Sequence, residues 1–318
     1  MKPNIVILDA FTSNPGDLSW EELAELGNLT IYDRTSPEEV VTRCKNADIV
    51  ITNKTVITAD TIRQIDRTRM ISVLATGYNV VDVKAARQSG IIVSNVPAYS
   101  TMSVAQNVFA LILDITNSVS RYSEGVHNGR WSSSPDFAYF DTTLIELSGK
   151  RMGIVGFGAI GSKVANIAKA FGMEVCAFSS KSRKELGEIQ KVDLDTLFRT
   201  SDIISLHCPL TEDTYHIVNK SRLALMKSSA ILINTGRGPL VDEEALADAL
   251  KNHHILAAGV DVLSEEPPKP NNPLLGVENC IITPHISWAT YQARERLIQI
   301  TVENVRAFIE GRPQNVVS

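Results

Sequence analysis

The sequence predicts an α/β protein built from two doubly wound domains. Three observations carry this. Short apolar runs alternate with helical patterns along nearly all of the 318 residues, as parallel βαβ units require. The alternation breaks after Pro97 and restarts at Met152, which divides the chain in two. The restart then leads straight into Gly156-Phe157-Gly158-Ala159-Ile160-Gly161, a glycine turn between a strand pattern and a helix pattern.

In the first half the pattern predicts strands over 4–9, 48–52, 71–75 and 91–93, with helices over 37–46, 59–66 and 82–88. Ser36 is placed to cap the first of these helices, and Pro37 suits its first turn. No glycine fingerprint marks this half. A long helix is expected over 101–127, ended by Asn128 and Gly129. A polar segment with Ser132, Ser133, Ser134 and Pro135 then runs to Leu147. In the second half strands are expected over 152–155, 173–178, 202–206, 230–234, 256–261 and 280–283. Helices are expected over 162–171, 194–199, 221–226 and 242–251. The stretch 289–310 reads as one amphipathic helix with Leu297, Ile300, Val305, Phe308 and Ile309 on its apolar side. No strand follows it, so it is expected to return to the first domain. The domains are then 1–99 with 287–318, and 100–286, with the active site in the cleft between them.

Composition excludes several classes. A net charge of −5 gives no footprint for nucleic acid. The apolar run 5–8 ends at Asp9, too short for a signal peptide. No run reaches the ~18 apolar residues of a membrane span; the most apolar helix pattern, 103–116, contains Gln106, Asn107 and Asp114. Cys44, Cys176, Cys208 and Cys280 form no CxxC pair, which reads as reduced thiols in a cytoplasmic protein with no metal site.

The glycine turn implies a dinucleotide. Gly156 permits the tight turn, Gly158 admits a pyrophosphate to the backbone, and Gly161 lets the helix pack on the strand. The helix N-terminus adds free N–H groups and a positive dipole end. In such folds an acidic residue about 20 positions on binds the ribose 2′-OH of NAD. Here Ser179, Ser180, Lys181 and Arg183 occupy that place. Hydroxyls and cations suit a 2′-phosphate, so NADP is expected over NAD, with a solvated basic loop as the bland alternative.

Three later stretches follow strand patterns and so lie at a carboxyl edge, where open α/β sheets bind ligands. Asn234-Thr235-Gly236-Arg237-Gly238 supplies Arg237, the run 259–267 supplies Asp261 and Glu266, and 283–287 supplies His285. With Gly156 to Gly161 and the run 207–211, these motifs resemble the D-isomer-specific 2-hydroxyacid dehydrogenases in order and spacing over nearly the whole chain. The resemblance implies a discontinuous flavodoxin-like substrate domain and an NAD(P)-binding Rossmann domain. It implies Arg237, Glu266 and His285 as catalytic residues, and Thr76, Gly77 and Tyr78 with Arg237 and His285 as substrate contacts. It also implies cofactor contacts from Phe157, Ala159, Ile160, His207, Cys208, Pro209, Thr214, Asn234, Thr235, Gly236 and Asp261. The stretches 103–106, 130–137 and 285–289 are most similar to family members that reduce hydroxypyruvate and glyoxylate. Phosphoglycerate or D-lactate specificity, and a non-catalytic NAD(P)-sensing scaffold, are the alternatives.

The roles also follow from chemistry. Reducing a 2-keto acid needs a proton on the carbonyl oxygen, and histidine titrates near neutrality. A carboxylate on its far nitrogen orients the ring and favours its charged form. An arginine fork contacts both carboxylate and carbonyl. His127, His216, His253 and His254 read as surface or packing residues, and Lys54 as a solvated lysine. Trp288 reads as pocket cap or helix packing. Apolar residues on the long helix and the arm 131–140 suggest a homodimer.

Overall fold

The computed structural model describes residues 2–318. They divide into two compact units, one running to Ser100 and resuming at Ala289–Ser318, the other Thr101–Trp288.

The first unit begins with β1 (Asn4–Ile7), α1 (Glu21–Leu26), β2 (Asn28–Ile31), α2 (Val40–Cys44) and β3 (Ile49–Thr52). It continues with α3 (Ala59–Ile62), β4 (Met70–Val73), α4 (Val83–Gln88) and β5 (Ile92–Ser94). The sheet is parallel, in the order β2-β1-β3-β4-β5, the flavodoxin-like order. Every residue of β3 and β4 is buried, as strands covered on both faces must be, which explains their continuous apolar runs. β2 and α1 escaped the sequence pattern because β2 is short and mostly exposed. The expected helix over 37–46 opens as a 3-10 turn, Pro37–Glu39, before α2.

The second unit opens with α5 (Thr101–Asn117) and α6 (Val119–His127). Its sheet contains β6 (Arg151–Val155), β7 (Glu174–Phe178), β8 (Gln190–Lys191), β9 (Ile203–Leu206), β10 (Ile231–Asn234), β11 (Ala257–Val260) and β12 (Cys280–Ile282). The helices between them are α7 (Ala159–Ala170), α8 (Arg183–Leu186), α9 (Leu194–Thr200), α10 (Lys220–Leu223) and α11 (Glu243–Lys251). The order is β12-β11-β10-β9-β6-β7-β8, parallel throughout. The reversal between β9 and β6 makes it a Rossmann sheet with its crevice at the exit of β6.

The single helix expected over 101–127 is two helices. Ser118 sits in the left-handed region at φ 50, and Asp114 Oδ1 accepts the Ser120 hydroxyl at 3.0 Å, so local polar bonds restart the chain in a new direction. The two halves also differ in burial. Ala105, Val108, Phe109, Leu111 and Ile112 of α5 are buried against β6 and α7 residues such as Ile154 and Val164. Apart from Met102 near the start of α5, the exposed large apolar residues of this stretch are Val119 and Val126 of α6 and, beyond it, Trp131, Phe137, Phe140 and Leu144.

The chain re-enters the first unit with α12 (Tyr291–Ile309). Within that unit Arg294, 8% exposed, makes two bonds to Asp17 at 2.7 and 2.6 Å. Asn304 donates to Asn95 O at 2.9 Å. The last residues pair with the β5 edge, Val317 N donating to Val93 O at 2.8 Å, which covers a strand that would otherwise be open. Among the described residues no helix is long and apolar enough to cross a membrane.

Candidate active site

The turn after β6 is shaped by contacts. Gly156 has φ 95, and a Cβ there would collide with Cys208 N and the His207 carbonyl. A Cβ on Gly161 would collide with Gly156 O, whereas one on Gly158 would meet nothing within 4 Å. The outer glycines therefore serve packing, and the middle one leaves open space. The Phe157 and Gly158 N–H groups meet no acceptor among the described residues, and α7 begins at Ala159 with its first N–H groups free by helix geometry. These features fit a pyrophosphate.

Beyond β7 lies a cavity of about 670 Å³ lined by Phe178, Arg183, Lys191, Val192, Asp193 and Thr196. Among the described residues neither Lys181 nor Arg183 forms a close ion pair, although, beside the Ser182 N–H, the Lys181 charge helps to lower the pKa of Glu185. Ser179 Oγ accepts Lys181 N–H at 3.1 Å. The nearby acids are already engaged. Glu185 accepts both the Ser182 N–H and hydroxyl at 2.8 Å, and the Ser182 N–H holds its carboxyl below the usual range. Asp193 caps α9, and the Thr196 hydroxyl lowers its pKa.

After β9, His207 bonds Ser205 Oγ through Nε2 at 2.8 Å. Burial pushes its pKa down to about 4, so the ring is neutral near pH 7. Cys208 is partly buried and Pro209 exposed. Thr214 turns its hydroxyl back to Pro209 O at 2.7 Å and accepts Thr211 N–H.

After β10, Asn234 is 1% exposed. Its amide accepts Gly236 N–H at 3.0 Å and donates to Arg237 O at 2.8 Å, so the side chain braces the loop. Thr235 is buried, and its hydroxyl has no partner among the described residues. Arg237 is exposed; among the described residues its Nη1 donates to Gly236 O at 2.7 Å.

After β11 and β12 the geometry tightens. Glu266 Oε2 lies 2.6 Å from His285 Nδ1, and Glu266 Oε1 accepts Leu263 N–H at 3.0 Å. His285 has φ 54, a conformation costly for a residue with a Cβ. Its N–H donates to Asp261 O at 2.8 Å. Asp261, 1% exposed, accepts the Thr283 hydroxyl at 2.6 Å and Ile286 N–H at 2.9 Å on one oxygen, and Ser287 N–H at 2.9 Å on the other. Its carboxylate thus ties down the loop around His285, and Ser103 Oγ fastens the same loop at Ser287 O, 2.7 Å away. Sequence reading placed Asp261 beside the cofactor and missed Ser103. Both act across distances in sequence that no local pattern encodes.

In the first unit, past the carboxyl end of β4, the N–H groups of Thr76, Gly77 and Tyr78 meet no acceptor among the described residues. Thr76 is braced by its hydroxyl on Val96 O and by Asn95 on its carbonyl.

A strand–glycine turn–helix exit, with an Arg, a Glu and a His at three neighbouring strand exits of one Rossmann sheet, defines a nicotinamide-dependent dehydrogenase. The D-isomer specific 2-hydroxyacid dehydrogenase NAD binding domain matches residues 109–287. The chain belongs to that family, and so is an oxidoreductase of the CH–OH group of 2-hydroxy acids. It is 49% identical over 319 residues to the hydroxypyruvate reductase of Blautia hydrogenotrophica, covering 99% of each chain. It is 43% identical over 289 residues to the glycerate dehydrogenase of Methylorubrum extorquens, covering 90% of each. An acyclic imino acid reductase in complex with NADPH and D-Arg superposes with TM-score 0.86 at 35% identity, covering 99% of this chain and 100% of that one. A D-lactate dehydrogenase from Aquifex aeolicus, complexed with NAD and lactic acid, gives 0.82 at 31%, covering 97% and 96%.

Proposed function

We propose that this enzyme reduces hydroxypyruvate and glyoxylate, oxidises D-glycerate in reverse, and prefers NADP(H). The observation that carries the catalytic part is the 2.6 Å bond between Glu266 and His285 Nδ1. It leaves Nε2 as the atom that gives a proton to the carbonyl oxygen on reduction and takes it back on oxidation. When bound, the nicotinamide supplies or accepts the hydride. Arg237, with most of its donors open, stabilises negative charge on the carbonyl oxygen and contacts the carboxylate. The reading gives the substrate carboxylate also to the N–H groups of Thr76, Gly77 and Tyr78, which suit an anion.

Gly156 to Gly161 would hold the pyrophosphate, and Ser179, Ser180, Lys181 and Arg183 the 2′-phosphate. Arg183 at that cavity, with Lys181 nearby and acids already held by Ser182 and Thr196, supports NADP. The substrate is supported by the names of the two relatives and by the shared family. The exposed Trp131, Phe137 and Phe140 support a homodimer, and the four free cysteines are compatible with a cytoplasmic protein. The test is kcat/KM for hydroxypyruvate, glyoxylate, pyruvate and phosphohydroxypyruvate with NADPH and with NADH. Hydroxypyruvate with NADPH should rank first. A strong preference for NADH, or for pyruvate, would overturn the corresponding half.

A further inference from the structure

The geometry points to Glu243 as a positioning residue for the catalytic pair, an inference that rests on the proposed roles of Glu266 and His285. Glu243 opens α11 and is half-buried. Its carboxylate bridges two points of a loop remote in sequence: Oε1 accepts Ser264 N–H at 2.6 Å, and Oε2 accepts the Asn272 side-chain amide at 2.8 Å. Those points bracket Glu266. A carboxylate accepting two N–H bonds forms charge-assisted contacts stronger than neutral ones.

A second contact reinforces this staple. Gly238 packs so closely on the same loop that a Cβ there would collide with the Leu263 carbonyl and Ser264 N. The segment 237–243 therefore grips residues 263–264 at two places, by bare backbone at Gly238 and by a carboxylate at Glu243. Arg237 is at one end of this segment. On the gripped loop, Leu263 N–H anchors Glu266 Oε1, and Glu266 Oε2 holds His285. A chain of contacts thus links α11 to Glu266 and His285, while Gly238 pins the residue after Arg237 to the same loop. Glu243 touches no reacting atom. It holds the loop from which the carboxylate reaches the imidazole.

Glu243→Ala should lower kcat by about 10- to 100-fold, because displacements near an ångström carry penalties of that size. KM and cofactor Kd should stay within about twofold, and the solvent deuterium isotope effect on kcat should rise as proton transfer becomes limiting. Glu243→Gln keeps an oxygen for Ser264 N–H and should recover kcat to within about threefold. If Glu243→Ala does not fold, Asn272→Ala, which removes only the outer bond, should show the same loss confined to kcat in smaller degree. Unchanged kcat and isotope effect in the variant that folds would overturn the proposal. So would a kcat loss that Glu243→Gln fails to relieve. His285→Ala is run alongside. Normal turnover there removes the reading on which this rests, whereas collapse there with an intact Glu243→Ala removes only the role of Glu243.

Discussion

The two units follow one plan and end their first strands in opposite ways. Each is a parallel sheet wound on both sides, with a turn at the carboxyl end of its first strand. In the first unit that turn carries Asp9, whose carboxylate accepts the N–H groups of Asn53, Lys54 and Thr55 at 2.7, 2.6 and 2.8 Å. In the second unit the turn carries glycines, and Phe157 and Gly158 keep their N–H groups open. At the exit of its first strand, one sheet satisfies the neighbouring donors with its own anion. The other leaves donors for an anion brought from outside. Binding capacity therefore lies in what the exit of the first strand withholds from the protein, and the fold alone does not supply it.

The largest effect expected is at the histidine. His285→Ala should lower kcat by about 10²- to 10⁴-fold, the usual worth of a general acid, with the melting temperature and cofactor Kd little changed. Steady-state kinetics beside a fluorescence titration of NADPH would measure this, and near-normal turnover would remove His285 from the mechanism. Next come the glycines. Gly158→Ala has room for its methyl, so it should fold normally and weaken cofactor binding by about tenfold or more by crowding the pyrophosphate. Gly156→Ala, at φ 95 and against Cys208 N, should lose stability as well. If both variants bind cofactor like the wild type, the contrast drawn between the two sheets fails.

The mirror experiment is Asp9→Ala. It strands three N–H groups and should cost about 1–3 kcal/mol for each one left dry, read as a lower urea midpoint, while the NADPH Kd stays put. A shifted Kd would mean that the first sheet's exit takes part in cofactor binding. The smallest effect at neutral pH is that of His207. Its pKa in the fold is about 4 against an ordinary 6.5, so the fold prefers the neutral ring. Its contribution is complete above pH 6.5 and is lost as pH falls toward 4, at most about 3 kcal/mol at 1.4 kcal/mol per unit. His207→Asn should flatten the fall of the urea midpoint across that window. Equal slopes in the two proteins would contradict it.

Much of this was legible in the sequence because it is local. The buried parallel strands announce themselves as apolar runs, and the glycine turn is read from three positions within six residues. The exposed β2 and the two-residue β8 gave no such signal, and the break at Ser118 was hidden because apolar spacing continues through it. Arg237, Glu266 and His285 were legible as types at strand exits. The bonds that aim them were not. Ser103 reaches a loop 184 residues away and Glu243 one 21 residues away, and neither distance carries a repeating pattern.

The sequence by itself determined the alternation of strands and helices, the place of the dinucleotide turn and the residue types available for proton transfer. These depend on periodicity and on the conformational range of single residues. Only the tertiary structure decided which carboxylates act and which are occupied. Asp261 and Asp9 are committed to backbone N–H groups, Glu185 to a helix cap, and Glu266 to the imidazole. A carboxylate takes the donors that the folded backbone brings within about 3 Å, and those donors come from strands and loops that meet only once the sheet has formed.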